Sequence, residues 1–285
     1  MLIAQITDIH LGFEPNNPAE FNRRRLDQTL HRLKEMRPRP DVLIATGDLA
    51  DNGDDAVSYR RLKAALAAFP MPVLFCMGNH DSRELFLRYF PDIPHAGDGF
   101  IQYAVEDFPV RLLMLDTLEI GRHGGGFCAE RALWLEERLD EQPDRPTIIA
   151  LHHPPVESGL SWMTENPEAE WVVRLRSVIA GRGNVVALLS GHLHRPIVTH
   201  WAGTMLAVCP STAPQVALDL DSIDPDRPDG RAMIVADPPG YALHLWNGEA
   251  LISHFNTAEE HTVLARYEDA LQPLVQLLMR EKTGE

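Results

Sequence analysis

The sequence predicts an α/β fold built on mixed sheets, and three observations carry that expectation. Through residue 90, apolar β-branched runs alternate with segments of helical spacing, the pattern of βαβ units and parallel strand pairing. Two apolar runs at 100–105 and 110–116 then follow across the short turn Glu106-Asp107-Phe108-Pro109, which reads as a hairpin and makes the sheet mixed. After Pro196 the texture changes to short apolar runs separated by turn residues.

In order, the periodicities predict a strand at 2–6, a helix over about 19–36, a strand at 41–45, a helix over about 55–68, a strand at 72–76 and a helix over about 82–90. A glycine-rich loop at 121–126 follows the hairpin. Leu133, Trp134, Leu135 and Leu139 then give helical spacing over 129–139, and a strand begins at Thr147. A helix at 168–180 and a strand at 185–189 complete the alternation. The runs at 197–203, 204–210, 231–237, 241–246 and 250–255 read as antiparallel strands. The stretch 219–230, with five Asp and two Pro, reads as an exposed loop with weak strand pairing across it. Val263, Leu264, Tyr267, Leu271, Leu274, Leu277 and Leu278 predict an amphipathic helix over 258–280. With no repeat or linker, the expected organisation is a catalytic core at 1–210 and a C-terminal extension at 211–285. That extension packs on the core and is available for contacts between copies.

At 285 residues and 45% hydrophobic content the chain is long enough for a substantial core. Its formal net charge is −15, from 26 Lys and Arg against 41 Asp and Glu, with no basic block, so neither stable nucleic-acid binding nor an anionic membrane partner is expected. The opening MLIAQITDIH lacks a charged n-region and a cleavage site, and no apolar run approaches the roughly 20 residues of a membrane span. Cys76, Cys128 and Cys209 are odd in number and lack metal-type spacing, and Cys76 and Cys209 sit in apolar runs as small buried hydrophobes. The expected setting is a reducing cytoplasm.

Five short motifs carry the chemistry: Asp8-Ile9-His10, Gly47-Asp48, Gly78-Asn79-His80-Asp81, His152-His153-Pro154-Pro155 and Gly191-His192-Leu193-His194. Each ends an aliphatic run, so each is expected at the carboxyl end of a strand, where open α/β sheets place ligands. Histidine mixed with carboxylate suits first-row divalent metals, whereas an all-oxygen site suits Mg or Ca. In Asp8-x-His10, residues i and i+2 of an extended strand share a face. The glycine before His192-x-His194 indicates a loop in which the two imidazoles diverge toward different ions.

The motif order D-x-H, G-D, G-N-H-[DE], H-x-P and G-H-x-H over residues 8–194 resembles the calcineurin-like metallophosphoesterases. The wording MLIAQITDIH, GDLADNG, GNHD, LHHPP and GHLHRP is most similar to the bacterial branch of class III cyclic-nucleotide phosphodiesterases and glycerophosphodiesterases. That resemblance implies a four-layer α/β/β/α sandwich with mixed sheets and a C-terminal strand-plus-helix extension. It also implies hydrolysis of small phosphodiesters, two divalent or mixed-valence transition-metal ions (Fe, Mn, Zn or Co) and, as in several members, a homo-oligomer. By position, it implies one metal on Asp8, His10 and His194, a second on Asn79, His152 and His192, Asp48 bridging, and a hydroxide between the ions for in-line attack on phosphorus. Two ions, two aspartates and hydroxide leave about +1 formally, which a diester monoanion neutralises. The second site has one shared carboxylate and an amide, so stepwise metal loading is expected.

Among residues near the motifs, Asn79 and His80 are expected to face substrate, with His80 hydrogen-bonding a phosphoryl oxygen or protonating the leaving alkoxide. Asp81 either orients that imidazole or caps the following helix. His153 and His200 are further candidates for touching substrate, while His31, His95, His123, His244, His254 and His261 read as surface or structural. Loops 11–18, 121–127 and 156–167 are expected to shape the pocket; in the last, Trp162 either stacks on a base or anchors its loop. The related serine/threonine phosphatases grip a monoester dianion with arginine in G-D-x-x-D-R-G. Asn52 fills that slot here, which favours diesters over a phosphomonoesterase. A nuclease is disfavoured by the acidic charge, and a non-catalytic scaffold by the complete ligand set.

Overall fold

The computed structural model describes residues 1–17, 19–96 and 99–283; Pro18, at the end of one expected pocket loop, lies outside them. The first half follows its periodicities: β1 (Leu2–Ile6), α1 (Phe21–Glu35), β2 (Val42–Thr46), α2 (Ala56–Leu66), β3 (Val73–Cys76) and α3 (Arg83–Tyr89). Helix α1 buries Leu26, Leu30 and Leu33 at i, i+4 and i+7. Asp55 caps α2 by accepting from the Val57 amide, and Ser82 caps α3 by accepting from Leu85. The hairpin is β4 (Tyr103–Val105) with β5 (Arg111–Met114), followed by α4 (Ala129–Glu141), β6 (Thr147–Ala150), α5 (Glu170–Ile179) and β7 (Val185–Ser190). Beyond these come β8 (Ile197–Trp201), β9 (Thr204–Val208), β10 (Gln215–Val216), β11 (Ile234–Val235), β12 (Gly240–Trp246), β13 (Leu251–Thr257) and α6 (Gln272–Thr283).

Two larger sheets result, one ordered β13-β12-β1-β2-β3 and the other β4-β5-β6-β7-β9-β8. Alternation along β5 shows how they stack. Leu112 and Met114 join a core that also holds Ile3 and Ile44 of the first sheet, whereas Leu113 and Leu115 join a second core with Leu135 of α4 and Leu175 of α5. The sheets therefore face each other, with α1–α3 outside one and α4 and α5 outside the other: a four-layer α/β/β/α sandwich. A buried polar chain also joins the two sheets. His244 of β12 donates to Gln5 Oε1 (2.9 Å), and Gln5 Nε2 donates to Thr46 Oγ1 (2.9 Å) and to the Ser190 carbonyl of the second sheet (3.0 Å).

The C-terminal third differs from its expectation in detail. Strands β8 and β9 are antiparallel to each other, but β9 pairs parallel with β7. The run at 231–237 contributes only the two-residue β11, paired with β10 across the 219–230 loop. The segment 211–285 supplies β12 and β13, and β12 hydrogen-bonds antiparallel to β1 inside the first sheet. The terminal helix is shorter than its apolar spacing predicts: residues 261–268 are not helical, and α6 buries no residue. Leu264 and Tyr267 fall before α6, and Leu274, Leu277 and Leu278 on it, all exposed. No helix among the described residues is long and apolar enough to cross a membrane.

Candidate metal centre

All five motifs lie just beyond strand ends. Strands β1, β2, β3, β6 and β7 stop at Ile6, Thr46, Cys76, Ala150 and Ser190, and the motif residues occupy the loops that follow. Asp8 and His10 therefore do not share a face of an extended strand. Their convergence comes from backbone shape: Asp8, His10, Asp48, His192 and His194 adopt φ of 50°, 47°, 49°, 70° and 50°. This left-handed region is disfavoured for residues with a Cβ, and each such residue costs on the order of 1–3 kcal/mol, which the surrounding fold must offset. Two glycines make room. A Cβ on Gly47 would lie 2.5 Å from His152 Nδ1, and one on Gly78 would collide with the Asp48 carboxylate.

The side chains meet in one buried cluster. Asp8, His10 and His194 form one group of ligand atoms within 4.8 Å of one another; Asp8, Asp48 and His152 form another; and His192 groups with His152 and His153. Asp48 Oδ2 lies between the two halves, 3.6 Å from His10 Nε2 and 3.3 Å from His152 Nε2. His10 Nε2 is 3.3 Å from His194 Nε2, Asp8 Oδ1 is 3.4 Å from His194 Nε2, and Asn79 Oδ1 is 3.3 Å from His152 Nε2.

Hydrogen bonds on the far side of the rings fix their tautomers. His152 Nδ1 donates to the Thr46 carbonyl (2.7 Å), His194 Nδ1 to the Pro214 carbonyl (2.8 Å) and His80 Nδ1 to the Asp51 carbonyl (2.7 Å), while His10 Nδ1 faces Asp51 Oδ1 at 3.3 Å. In each ring this leaves Nε2 for a ligand. Burial works against ionising Asp48, yet His152 and His10 outweigh it and hold the carboxyl well below the usual carboxylate range; His194 and His152 likewise lower Asp8. Burial, reinforced by His153 and His152, keeps His192 well below the ordinary imidazole value.

The donor set fits divalent cations. Asp8 and Asp48 are 0% and 2% exposed, with no Lys or Arg among the groups acting on them. Asp8 accepts from the His192 amide and Asp48 from the His80 amide, but with only imidazoles as charged partners among the described residues these buried carboxylates call for a cation. Mixed nitrogen and carboxylate donors select first-row metals, and this is the chemistry on which the fit rests.

Four expectations need correction or completion. Asp81 neither orients His80 nor caps α3: its carboxylate accepts from the Leu49, Ala50 and Gly78 amides and the Tyr59 hydroxyl, and Ser82 is the cap. Burial and the nearby Asp48 charge push its pKa up to about 6. His153 is closed to substrate, because its Nε2 donates to the His123 carbonyl (3.2 Å) and its Nδ1 accepts from the Thr117 hydroxyl (2.9 Å). His200 is exposed on the edge strand β8 opposite Met205, which pairs with Ala187, three residues back along β7 from Ser190. At about 3.3 Å per residue that is roughly 10 Å down the sheet from the motif end. His123, read as surface or structural, is exposed, and its ring centroid lies 4.7 Å from that of His192, so it borders the cluster. The glycine run around it was the only signal in the sequence.

A cavity of about 590 Å³ opens beside the cluster, lined by Asp51, Asn52, Asn79, His80, Ile120 and Gly121 among others. Only the first residue of the 121–127 loop reaches it, and loops 11–17 and 156–167 do not. Val156, Leu160 and Met163 are buried in the second core with Trp162 packed against it, so that loop is anchored by its apolar residues.

Residues 1–196 match the family model for calcineurin-like phosphoesterases. The chain is 32% identical over 253 residues to a probable glycerophosphodiester phosphodiesterase, GpdQ, of Arcobacter nitrofigilis, covering 87% of this chain and 90% of that protein. It is 35% identical over 245 residues to a probable cyclic nucleotide phosphodiesterase of Rhodopseudomonas palustris, covering 84% of each. Among solved structures, a dimetal phosphatase from Danio rerio superposes with a TM-score of 0.64 over 91% of this chain and 97% of that one, at 15% identity.

Proposed function

The chain belongs to the calcineurin-like phosphoesterase family, and from that premise we propose that it hydrolyses small phosphodiesters, cyclic nucleotides or glycerophosphodiesters, at a dinuclear centre. Asp8, His10 and His194 would hold one divalent ion, Asn79, His152 and His192 the other, with Asp48 shared. When bound, such ions supply the Lewis acidity that acidifies water for in-line attack on phosphorus and screens the phosphoryl oxygens.

The protein's own groups handle the rest. His80 lines the cavity beside Asn79, with Nδ1 donating to the Asp51 carbonyl, so its Nε2 is the free ring nitrogen, and in the imidazolium form it would donate to a phosphoryl oxygen or to the departing alkoxide. His123, at the rim, packs its ring against His192.

The preference for diesters rests on one observation: among the described residues, the cavity offers no free guanidinium. Asn52 lines it where a monoester phosphatase keeps arginine, and the one arginine in its wall, Arg83, is committed to Asp116 by two hydrogen bonds of 2.6 and 2.8 Å. A dianion would find no bidentate clamp, whereas a diester monoanion needs none and its second substituent can occupy the space. Comparing Mn-loaded protein on bis(p-nitrophenyl) phosphate and p-nitrophenyl phosphate tests this, with cyclic AMP, glycerophosphodiesters and single-stranded DNA in parallel. The diesters should lead in kcat/KM, and a tenfold advantage for the monoester would overturn the reading.

A further inference from the structure

The segment 211–285 supplies none of the ligands assigned above, yet its first residues lie against the Asp8, His10 and His194 group. Residues 211–214, between β9 and β10, meet the loop after β1. The Thr212 amide donates to the Thr7 carbonyl (2.9 Å), the Ala213 amide to the Asp8 carbonyl (2.9 Å) and the Ser211 hydroxyl to that same Asp8 carbonyl (3.0 Å). Pro214 presents the carbonyl that accepts from His194 Nδ1 and so decides which ring nitrogen of His194 is free. This short loop therefore sets the main chain of one ligand and the tautomer of another. Asp8, His10 and His194 all hold left-handed backbone, a shape that neighbours must enforce.

A side chain of α1 holds that loop from behind. Arg25 is buried; its Nε donates to the Thr212 carbonyl (2.8 Å), and its Nη2 donates to the carbonyls of Ala213 (3.0 Å) and Asp237 (2.6 Å). Thr212 and Ala213 are thus gripped on both sides, at their amides by the β1 loop and at their carbonyls by one guanidinium. Three residues earlier on the same face of α1, Asn22 Nδ2 donates to the His10 carbonyl (2.9 Å). The helix has no such link, among the described residues, to the other half of the cluster, where the Thr46 carbonyl orients His152. Burial pulls the Arg25 pKa down to about 10 against the raising effect of the Asp237 charge, so the group stays cationic at neutral pH. Packing of the helix does not call for it, because Leu26, Leu30 and Leu33 already bury the apolar stripe.

Resting on the two-cation reading above, we propose that Arg25 is a positioning residue for the Asp8, His10 and His194 site. It locks the 211–214 loop, and through it the Asp8 main chain and the His194 ring, so that this site is formed before a cation arrives. A cation entering a preformed site need not order its ligands, so Arg25 raises affinity there and leaves the other site unchanged.

The test titrates full-length, chelator-treated protein with Mn²⁺ by calorimetry. Asn79→Ala is the reference, because it disables the other site and the binding that remains belongs to the Asp8 site. Adding Arg25→Met, which keeps a long unbranched side chain but removes every donor, should weaken that binding by about tenfold or more. Gln28→Ala is the control: Gln28 ties the same helix to the Ala258 carbonyl (3.2 Å), away from the 211–214 loop. It should shift Kd by less than about twofold, well under the loss of a ligand-supporting contact. With Co²⁺ in place of Mn²⁺, the visible absorption of the bound ion should change in Arg25→Met and not in Gln28→Ala. Should Arg25→Met fail to fold, Arg25→Lys keeps the charge but replaces the fork with one ammonium, and should weaken binding several-fold. Unchanged binding in the folded Arg25 variant, or an equal loss in Gln28→Ala, would overturn the role of Arg25 while leaving the metal centre standing. Asn79→Ala protein that binds no Mn²⁺ would overturn the two-cation reading and the proposal with it.

Discussion

His80 differs from the other cluster imidazoles in what surrounds it: it is only partly buried, it lines the larger cavity, and its Nδ1 is tied to the Asp51 carbonyl rather than to a group beneath the site. His80→Ala is expected to bind metal as the wild type does while losing on the order of 10²-fold in kcat, the scale of a lost proton donor. Metal content by elemental analysis, read beside kcat, checks this; near-normal turnover removes the role. His244 makes a different prediction because it is buried and uncharged. Burial, helped by the His254 charge, lowers its pKa to about 3. The unfolded chain takes up a proton below about pH 6.5 that the folded chain refuses, so stability is full above that pH and falls as pH drops toward 3. By pH 5 the cost is about 2 kcal/mol from this one group. His244→Gln lacks it, so the gap between wild type and variant in urea unfolding should narrow by about that amount between pH 7 and pH 5. A gap independent of pH would show that His244 is not held neutral.

Asp81 is best understood at the level of the loops it joins. Its carboxylate accepts from Leu49 and Ala50 in the loop after β2 and from Gly78 in the loop after β3, so one side chain fixes Asp48 relative to Asn79. Asp81→Asn removes acceptor capacity and sets an NH₂ among backbone donors, and should destabilise the metal-free protein by about 2 kcal/mol. Thermal melting measures that loss; unchanged stability with a large fall in kcat would return Asp81 to the role of orienting His80. The same loops show where sequence reading stops. The strands and α1–α5 were legible because their apolar residues repeat with the period of the element, and the motifs were legible because ligand-type residues cluster after those strands. The backbone between them was not: nothing in Asp8-Ile9-His10 announces two left-handed residues in place of an extended strand, since that shape is held by neighbours, the carbonyls of Gly47 and Asp48 that accept from the amides of residues 8–10. The expected helix over 258–280 failed for the opposite reason. Residues 261–268 are all exposed, so their apolar spacing buries nothing that would hold a helix there, and the helix is confined to 272–283.

For the molecule as a whole, the decisive fact is that the cluster spans both sheets. Loops of the first sheet supply Asp8, His10, Asp48 and Asn79, and loops of the second supply His152, His192 and His194. A cation bound there holds the two sheets together, so it stabilises the native state alone, because unfolding separates its ligands. At a hundredfold excess over Kd each site contributes about 2.7 kcal/mol, which for a chain of this size is roughly 5–10 °C in Tm. Chelator-treated protein should therefore melt lower than Mn-loaded protein. The rise should come in two steps, because the Asp8, His10 and His194 set can engage two carboxylates and the Asn79, His152 and His192 set only the shared Asp48. Asn79→Ala should remove the later step and spare the earlier one, while His80→Ala should keep both. A Tm indifferent to chelation would mean that the cluster binds no cation across the sheets, and a single step with indistinguishable affinities would mean that the carboxylate count does not rank the two sites.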